Sequence, residues 1–149
     1  MGFMDVVEKY RTLKKKQAET YNELERMQAG AYSPGSPLID GLPHAHSKES
    51  RAEKSAIRLC ELRQEIINRE LELLQIHKAL LLWIFEAPES SMRLMLLIHF
   101  VDGMPWPDVA RELGRDVTWY ACKKSCYRYI TAREASGDVL NLPIEGQDG

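Results

Sequence analysis

Residues 50–86 carry neither proline nor glycine, and this constrains the fold more than any other feature of the chain. A run so free of backbone breakers, rich in Leu, Ile, Glu and Arg, is a helix, and at about 1.5 Å per residue it extends roughly 55 Å. That is too long for the core of a compact globule of 149 residues. Ser50 followed by Glu53 has the form of a capping box at its start. Leu59, Leu62, Ile66, Leu73, Ile76, Leu80 and Trp83 keep three-four spacing, broken by Arg69 and Glu70. A second stripe through Ile57, Cys60, Ile67, Leu71, Leu74 and Leu81 is expected to run beside it, giving a broad apolar face that needs more than one partner.

Residues 5–28 are also free of breakers and supply one partner. Their stripe is Val6, Tyr10, Leu13, Tyr21, Leu24 and Met27, with Gln17 filling a gap. Between the two runs, AGAYSPGSPLIDGLPHAHS is crowded with Gly, Pro and Ser, and residues 29–49 read as a linker whose Leu38, Ile39 and Leu42 pack onto a neighbour. The two helices are therefore expected to form an antiparallel hairpin over residues 1–87, with another copy of the chain covering the rest of the face.

Ala87-Pro88 ends the long helix, and Pro88 is expected in the first turn of the next. Met92, Leu94, Met95, Leu97, Ile98, Phe100 and Val101 make that helix apolar nearly all round, so it is central to a domain of residues 88–135. Gly103 stops it. Residues 107–113 form a short amphipathic helix with Val109, Ala110 and Leu113 inward and Asp108, Arg111 and Glu112 outward. Gly114 ends this helix through a left-handed turn, and Asp116 caps a last helix over residues 117–133, with Val117, Tyr120, Tyr127 and Ile130 inward. Residues 136–149 read as a flexible tail. The expected fold is all-α, a long antiparallel helical hairpin followed by a C-terminal helix-turn-helix domain.

Each part of the 100–114 segment has a mechanical reason. Gly103 turns the chain, Trp106 anchors the turn, Val109 and Leu113 seat the short helix, Ala110 permits a close crossing, and Gly114 sets the next helix at a steep angle, open to a major groove. The net charge of −2 conceals a local excess. Across residues 115–133, Arg115, Lys123, Lys124, Arg128 and Arg133 face Asp116 alone. Thr118, Trp119 and Lys123 are the candidates for base edges, with Arg115, Lys124 and Arg128 meeting phosphates. Trp119 has an alternative use, packing against the hairpin or a subunit interface.

The run aliphatic-x-Gly-Met-x-Trp-x-x-Val-Ala-x-x-Leu-Gly, from Val101 to Gly114, resembles the sigma-region-4-like helix-turn-helix family and the phage regulators of the RinA/ArpU type. Ser36-Pro37-Leu38 to Leu42-Pro43, flanked by helices, is similar to their N-terminal half. The resemblance implies a phage or prophage transcription regulator that binds double-stranded DNA in the bacterial cytoplasm, with RNA polymerase as a further candidate partner. Pro105 departs from the family by standing where a serine or threonine cap is usual, and Tyr120 and Tyr127 stand where smaller residues are usual.

Other classes find little support. Cys60, Cys122 and Cys126 make no paired disulfide framework. Cys122 and Cys126 stand one helical turn apart but lack a second pair of metal ligands, as does His44-x-His46. His77 and His99 sit on apolar helices as partly buried imidazoles. Glu61, Glu65, Glu70 and Glu72 alternate with Arg58, Arg63 and Arg69 as a charged helix surface. The run 79–85 is too short to cross a bilayer, and Asp5, Glu8 and Lys9 interrupt the apolar stretch that a signal peptide requires, so none is expected. No phosphate-cradling loop or nucleophile elbow occurs, so neither cofactor nor catalysis is expected. A non-enzymatic adaptor and a phage DNA-packaging subunit are the competing readings.

Overall fold

The computed structural model describes residues 1–31, 45–114, 116–140 and 142, with the backbone course alone at residues 31 and 45–50. All regular structure among them is helical: α1 Phe3–Ala31, α2 Ala45–Phe85, α3 Ser90–Leu96, a π-helical turn Leu97–Val101, α4 Trp106–Leu113 and α5 Trp119–Ala135. The all-α expectation holds. Both hairpin helices are longer than expected, because α1 continues to Ala31 and α2 starts at Ala45 rather than Ser50. The 29–49 linker is thus shortened from both ends, and Leu38, Ile39, Leu42 and His44 lie outside the described residues.

The chain divides into two compact units, Met1–Thr12 with Glu72–Gly149 and Leu13–Leu71. The division therefore does not coincide with the helix break at residue 87.

In the Leu13–Leu71 unit, α1 and α2 run antiparallel. Gln17 meets Ile66 and Glu70, whereas Glu23, further along α1, meets Arg58, earlier on α2. Leu62 and Ile66 are buried, and so are two polar residues, Gln17 and Thr20. Gln17 Nε2 donates to the Ile66 carbonyl (2.9 Å) and to Glu70 Oε1 (3.3 Å). Arg69 Nη1 donates to Gln17 Oε1 (3.3 Å) and to Thr20 Oγ1 (2.8 Å). The polar gaps in the two sequence stripes are therefore one feature: Gln17 on α1 faces Arg69 and Glu70 on α2. A buried amide left without partners would cost about 1–3 kcal/mol, so this layer holds the two helices to one register. Tyr21, expected inward, is exposed, and Thr20 takes the buried position.

The second α2 stripe also departs from expectation. Ile57, Ile67 and Leu71 are all more than half exposed. At about 100° per residue they lie nearly opposite Leu62 and Ile66 rather than beside them, so α1 cannot cover them.

In the other unit, the first turns of α1 bury Phe3, Val6, Val7 and Tyr10, and the end of α2 buries Ile76, Leu80, Trp83 and Ile84. Phe3 stacks on Trp83 (4.2 Å between ring centres) and meets Phe100 edge-on (5.4 Å). The N-terminus is therefore part of the C-terminal core. Pro88 lies ahead of α3, not in its first turn, and Glu89 occupies the N-cap position without a side-chain bond. Arg93 reaches back to the carbonyls of Ala87 (2.6 Å) and Pro88 (3.3 Å), closing the α2–α3 corner. At Leu97–Val101 the helix widens into a π turn, with the Asp102 amide donating to the Leu97 carbonyl (3.1 Å). Phe100 and Val101 are buried there, and His99 is left to stack on Trp106 (3.8 Å, 19° between planes).

The segment after α5 is not free along its whole length. Leu140 is buried, and its amide donates to the Met1 carbonyl (2.9 Å). Asp138 bonds Arg133. The flexible tail expected over residues 136–149 is thus held in place as far as Leu140, and residues 141 and 143–149 lie outside the described residues.

Candidate nucleic-acid interface

The scaffold of the helix-turn-helix is assembled largely as its residues suggest. Gly103 takes a positive φ of 80° at the turn out of the π segment. Pro105 occupies the N-cap position of α4 in an extended conformation and, having no side-chain acceptor, offers no cap. Trp106 opens α4 and is buried, together with Val109 and Ala110, while Leu113 is half-buried.

Gly114 has φ 142° and ψ 173°. This is not the left-handed helical turn expected, but it is a region that only glycine occupies without strain. Asp116 does not cap the last helix. Thr118 does, its Oγ1 accepting from the Ala121 amide (3.2 Å), and α5 begins at Trp119 instead of Val117.

The orientation of α5 differs from the sequence reading in a way that bears directly on function. Its buried residues are Cys122, Cys126 and Ile130. Val117 and Tyr120 are exposed, and Tyr127 lies at the flank, edge-on to Phe100 (5.8 Å) and tilted against Trp106 (6.3 Å). The small thiols let α5 approach α3 closely, with Cys126 Sγ 3.9 Å from Met95 Sδ. A tyrosine at position 126 would have no room there. Burial pushes both thiols up, Cys126 to about 12, so they pack as neutral groups. Among the described residues no cluster of His, Cys, Asp or Glu could hold a metal ion.

From Trp119 to Arg128, α5 is held by one narrow stripe, which leaves most of its circumference open there. Trp119, Lys123, Lys124 and Arg128 are all exposed, as expected, and neither the two lysines nor Arg128 makes an ion pair or hydrogen bond among the described residues. Between Trp119 and Arg133 there is no acidic residue. Thr118 is exposed, although its oxygen is already engaged as the cap. Arg115 lies outside the described residues.

Two open grooves border this face. One, of about 550 Å³, lies between α4 and the start of α5 and is lined by Pro107, Ala110, Arg111, Gly114, Val117, Thr118 and Trp119. The other, of about 510 Å³, passes Lys124, Tyr127, Arg128, Thr131 and Ala132. Sequence reasoning misses Tyr120, Arg111 and Thr131 as members of this surface. Placing the two cysteines on the inner face would have been the signal, since α5 periodicity then points Tyr120 outward.

Arg133, counted with the basic residues of the last helix, serves another purpose. Its guanidinium lies 3.8 Å from the Trp83 ring centre and donates to the Trp83 carbonyl (2.6 Å), Tyr129 Oη (3.1 Å) and Asp138 Oδ2 (2.5 Å), and it also pairs with Glu86. Burial alone would lower its pKa, but the bonds to Asp138 and Tyr129 outweigh this and raise it. This arginine is committed to the fold.

His99 Nδ1 lies 2.7 Å from the Met104 carbonyl and donates to it. Burial holds its pKa below the usual value, and the charges of Arg11 and Lys123 act the same way, against the opposing effect of the Met104 bond. The π turn thus supports Trp106 with a neutral imidazole.

Comparison with known proteins yields no relative: no family model, no curated protein and no solved structure matches the chain. No helix among the described residues is long and apolar enough to cross a membrane.

Proposed function

We propose that the chain is a sequence-specific, DNA-binding transcription regulator of phage or prophage type, acting in the bacterial cytoplasm and reading the major groove of duplex DNA with α5. One observation carries the reading. From Trp119 to Arg128, α5 buries only Cys122 and Cys126, and it presents Lys123, Lys124 and Arg128 without an ion pair or hydrogen bond among the described residues, on a stretch free of acidic residues up to Arg133. A helix built to be covered by protein would carry a second apolar stripe or compensating carboxylates. This one carries cations, which suit a polyanion.

Lys124 and Arg128 stand one turn apart and suit adjacent phosphates, while Trp119, Tyr120 and Lys123 at the leading end are placed to go deepest. No metal, cofactor or bond-making step enters the reading. The test is a mobility-shift and anisotropy titration of the chain against duplex DNA, beside a K123A/K124A/R128A variant. Weakened binding by a variant of unchanged melting temperature supports the reading, and unchanged affinity refutes it.

A second reading rests on Val117, Trp119 and Tyr120, which give the start of α5 an exposed apolar tip. Such a tip suits an adaptor that docks on RNA polymerase or another protein. Absence of any shift at low salt, together with co-purification of polymerase, selects this alternative.

A further inference from the structure

Among the described residues, a long row of uncovered apolar side chains runs along α2. Ile57, Cys60, Gln64, Ile67 and Leu71 in one unit, followed along the same helix by Leu74, Lys78, Leu81 and Phe85 in the other, keep alternating three-four spacing without interruption. Ile57, Ile67 and Leu71 are more than half exposed in the first unit; so are Leu74 and Phe85 in the second, with Leu82 beside them. A spacing of 3.5 residues per turn suits a long seam against another helix better than the edge of a globular core.

We propose that this seam pairs with the same seam of a second copy of the chain, as a parallel, in-register, two-stranded coiled coil. Area is the first argument. Six side chains exposing on the order of 100 Å² each, counted in two copies, hide about 1,200 Å², which reaches the range of specific interfaces. Register is the second. With Ile57 at the first core position of the heptad, Gln64 and Lys78 fall at equivalent core positions, and polar residues there specify two strands and one alignment.

In the parallel arrangement Gln64 meets Gln64 of the other copy, and the two amides can bond each other. In either antiparallel alignment the same amide faces leucine, Leu74 or Leu81, and is buried without a partner, at a cost of about 1–3 kcal/mol. The parallel flanks also avoid like charges, because Arg63 adjoins Asn68 of the other copy and Glu70 adjoins Gln75, while the two Lys78 side chains that meet at the core extend their ammonium groups out of the seam into water.

Cys60 supplies the test. It is the exposed thiol of the chain, Cys122 and Cys126 being buried. In the proposed pair it faces its own counterpart, whereas antiparallel pairing separates the two by 25 Å or more, on the order of eighteen residues at 1.5 Å each. Sedimentation of the full chain should show a dimer at micromolar concentration. Copper-phenanthroline should then join two Cys60 side chains, the thiols losing two protons and passing two electrons to the added oxidant. Cys60→Ser should remain dimeric but lose the crosslink, and Leu71→Asp, a change at an exposed position of the single chain, should give a helical monomer. A monomer at every concentration up to about 100 µM overturns the proposal, as does a dimer that does not crosslink through Cys60 or survives Leu71→Asp. None of these outcomes depends on whether the chain binds DNA.

Discussion

Replacing Arg133 with alanine should destabilise the protein by about 3 kcal/mol and leave its electrostatic behaviour toward DNA unchanged. The charge-assisted bond to the Trp83 carbonyl is worth about 1.5–3 kcal/mol. The guanidinium over the Trp83 ring adds about 1–2 kcal/mol, because the arginine side chain is only 10% exposed. Glu86, at 65% exposed, and Asp138, at 35%, contribute less than about 1 kcal/mol each, since solvent screens them. These contributions share one side chain and do not add in full. For a chain of this length 3 kcal/mol corresponds to a fall in Tm of about 6–12 °C, measurable by calorimetry. Arg133→Lys should recover less than half of it, as an ammonium cannot span the carbonyl, the phenol and the carboxylate together. The decisive comparison is with K123A/K124A/R128A, which should show the opposite pattern, a stable fold with weakened DNA binding. An Arg133→Ala variant of unchanged Tm, or one whose DNA binding becomes less salt-dependent, would refute this division of the α5 cations.

Thiol counting at pH 8 should find Cys122 and Cys126 unreactive in the native protein and all three cysteines reactive after denaturation; native reaction at Cys126, whose pKa is pushed up to about 12, would show α5 to be seated otherwise. Gly114→Ala should cost about 1–3 kcal/mol in urea unfolding, entirely through backbone conformation, since an added Cβ would meet nothing within 4 Å. His99 has a folded pKa below its unfolded value, so its contribution is present above the ordinary imidazole value and is lost as pH falls through that value toward the folded one. Tm should therefore decline between about pH 7 and pH 5, and His99→Asn should flatten the decline; an equally steep decline in the variant would remove His99 as its cause.

The hairpin and the α4 motif are legible in the sequence because they rest on local chemistry. Long stretches without Gly or Pro, the spacing of Val109 and Leu113, and glycines at 103 and 114 all act within a few residues. What cannot be read depends on residues distant in sequence. Size and apolar character alone assign the inner face of α5 to Tyr120 and Tyr127, yet the space opposite is set by Met95, and a side chain as small as a thiol fits it. Arg133 resembles another surface cation, since nothing local announces its alignment with Trp83. The π turn at Leu97–Val101 is hidden in a run apolar on every side, where no periodicity shows a change of phase. Gln17 and the Arg69-Glu70 pair are both visible as gaps, but only the antiparallel pairing of α1 with α2 makes them one hydrogen-bonded layer.

Among the candidate site residues, Lys123, Lys124, Arg128 and Trp119 can be placed from sequence because charge and exposure go together on a helix anchored by one stripe. Thr118, a sequence candidate for base recognition, is first of all a cap. Tyr120 escapes notice for the same reason that the helix reads as turned inward.

The most direct test of the account is the slope of log K for duplex DNA against log salt, measured for the chain and for K123A/K124A/R128A. Each phosphate deprived of its cation should reduce the slope by about 0.9, so the variant should be shallower by roughly 2 to 3. Equal slopes in the two proteins, or no binding of duplex DNA by the unaltered chain at low salt, would contradict it.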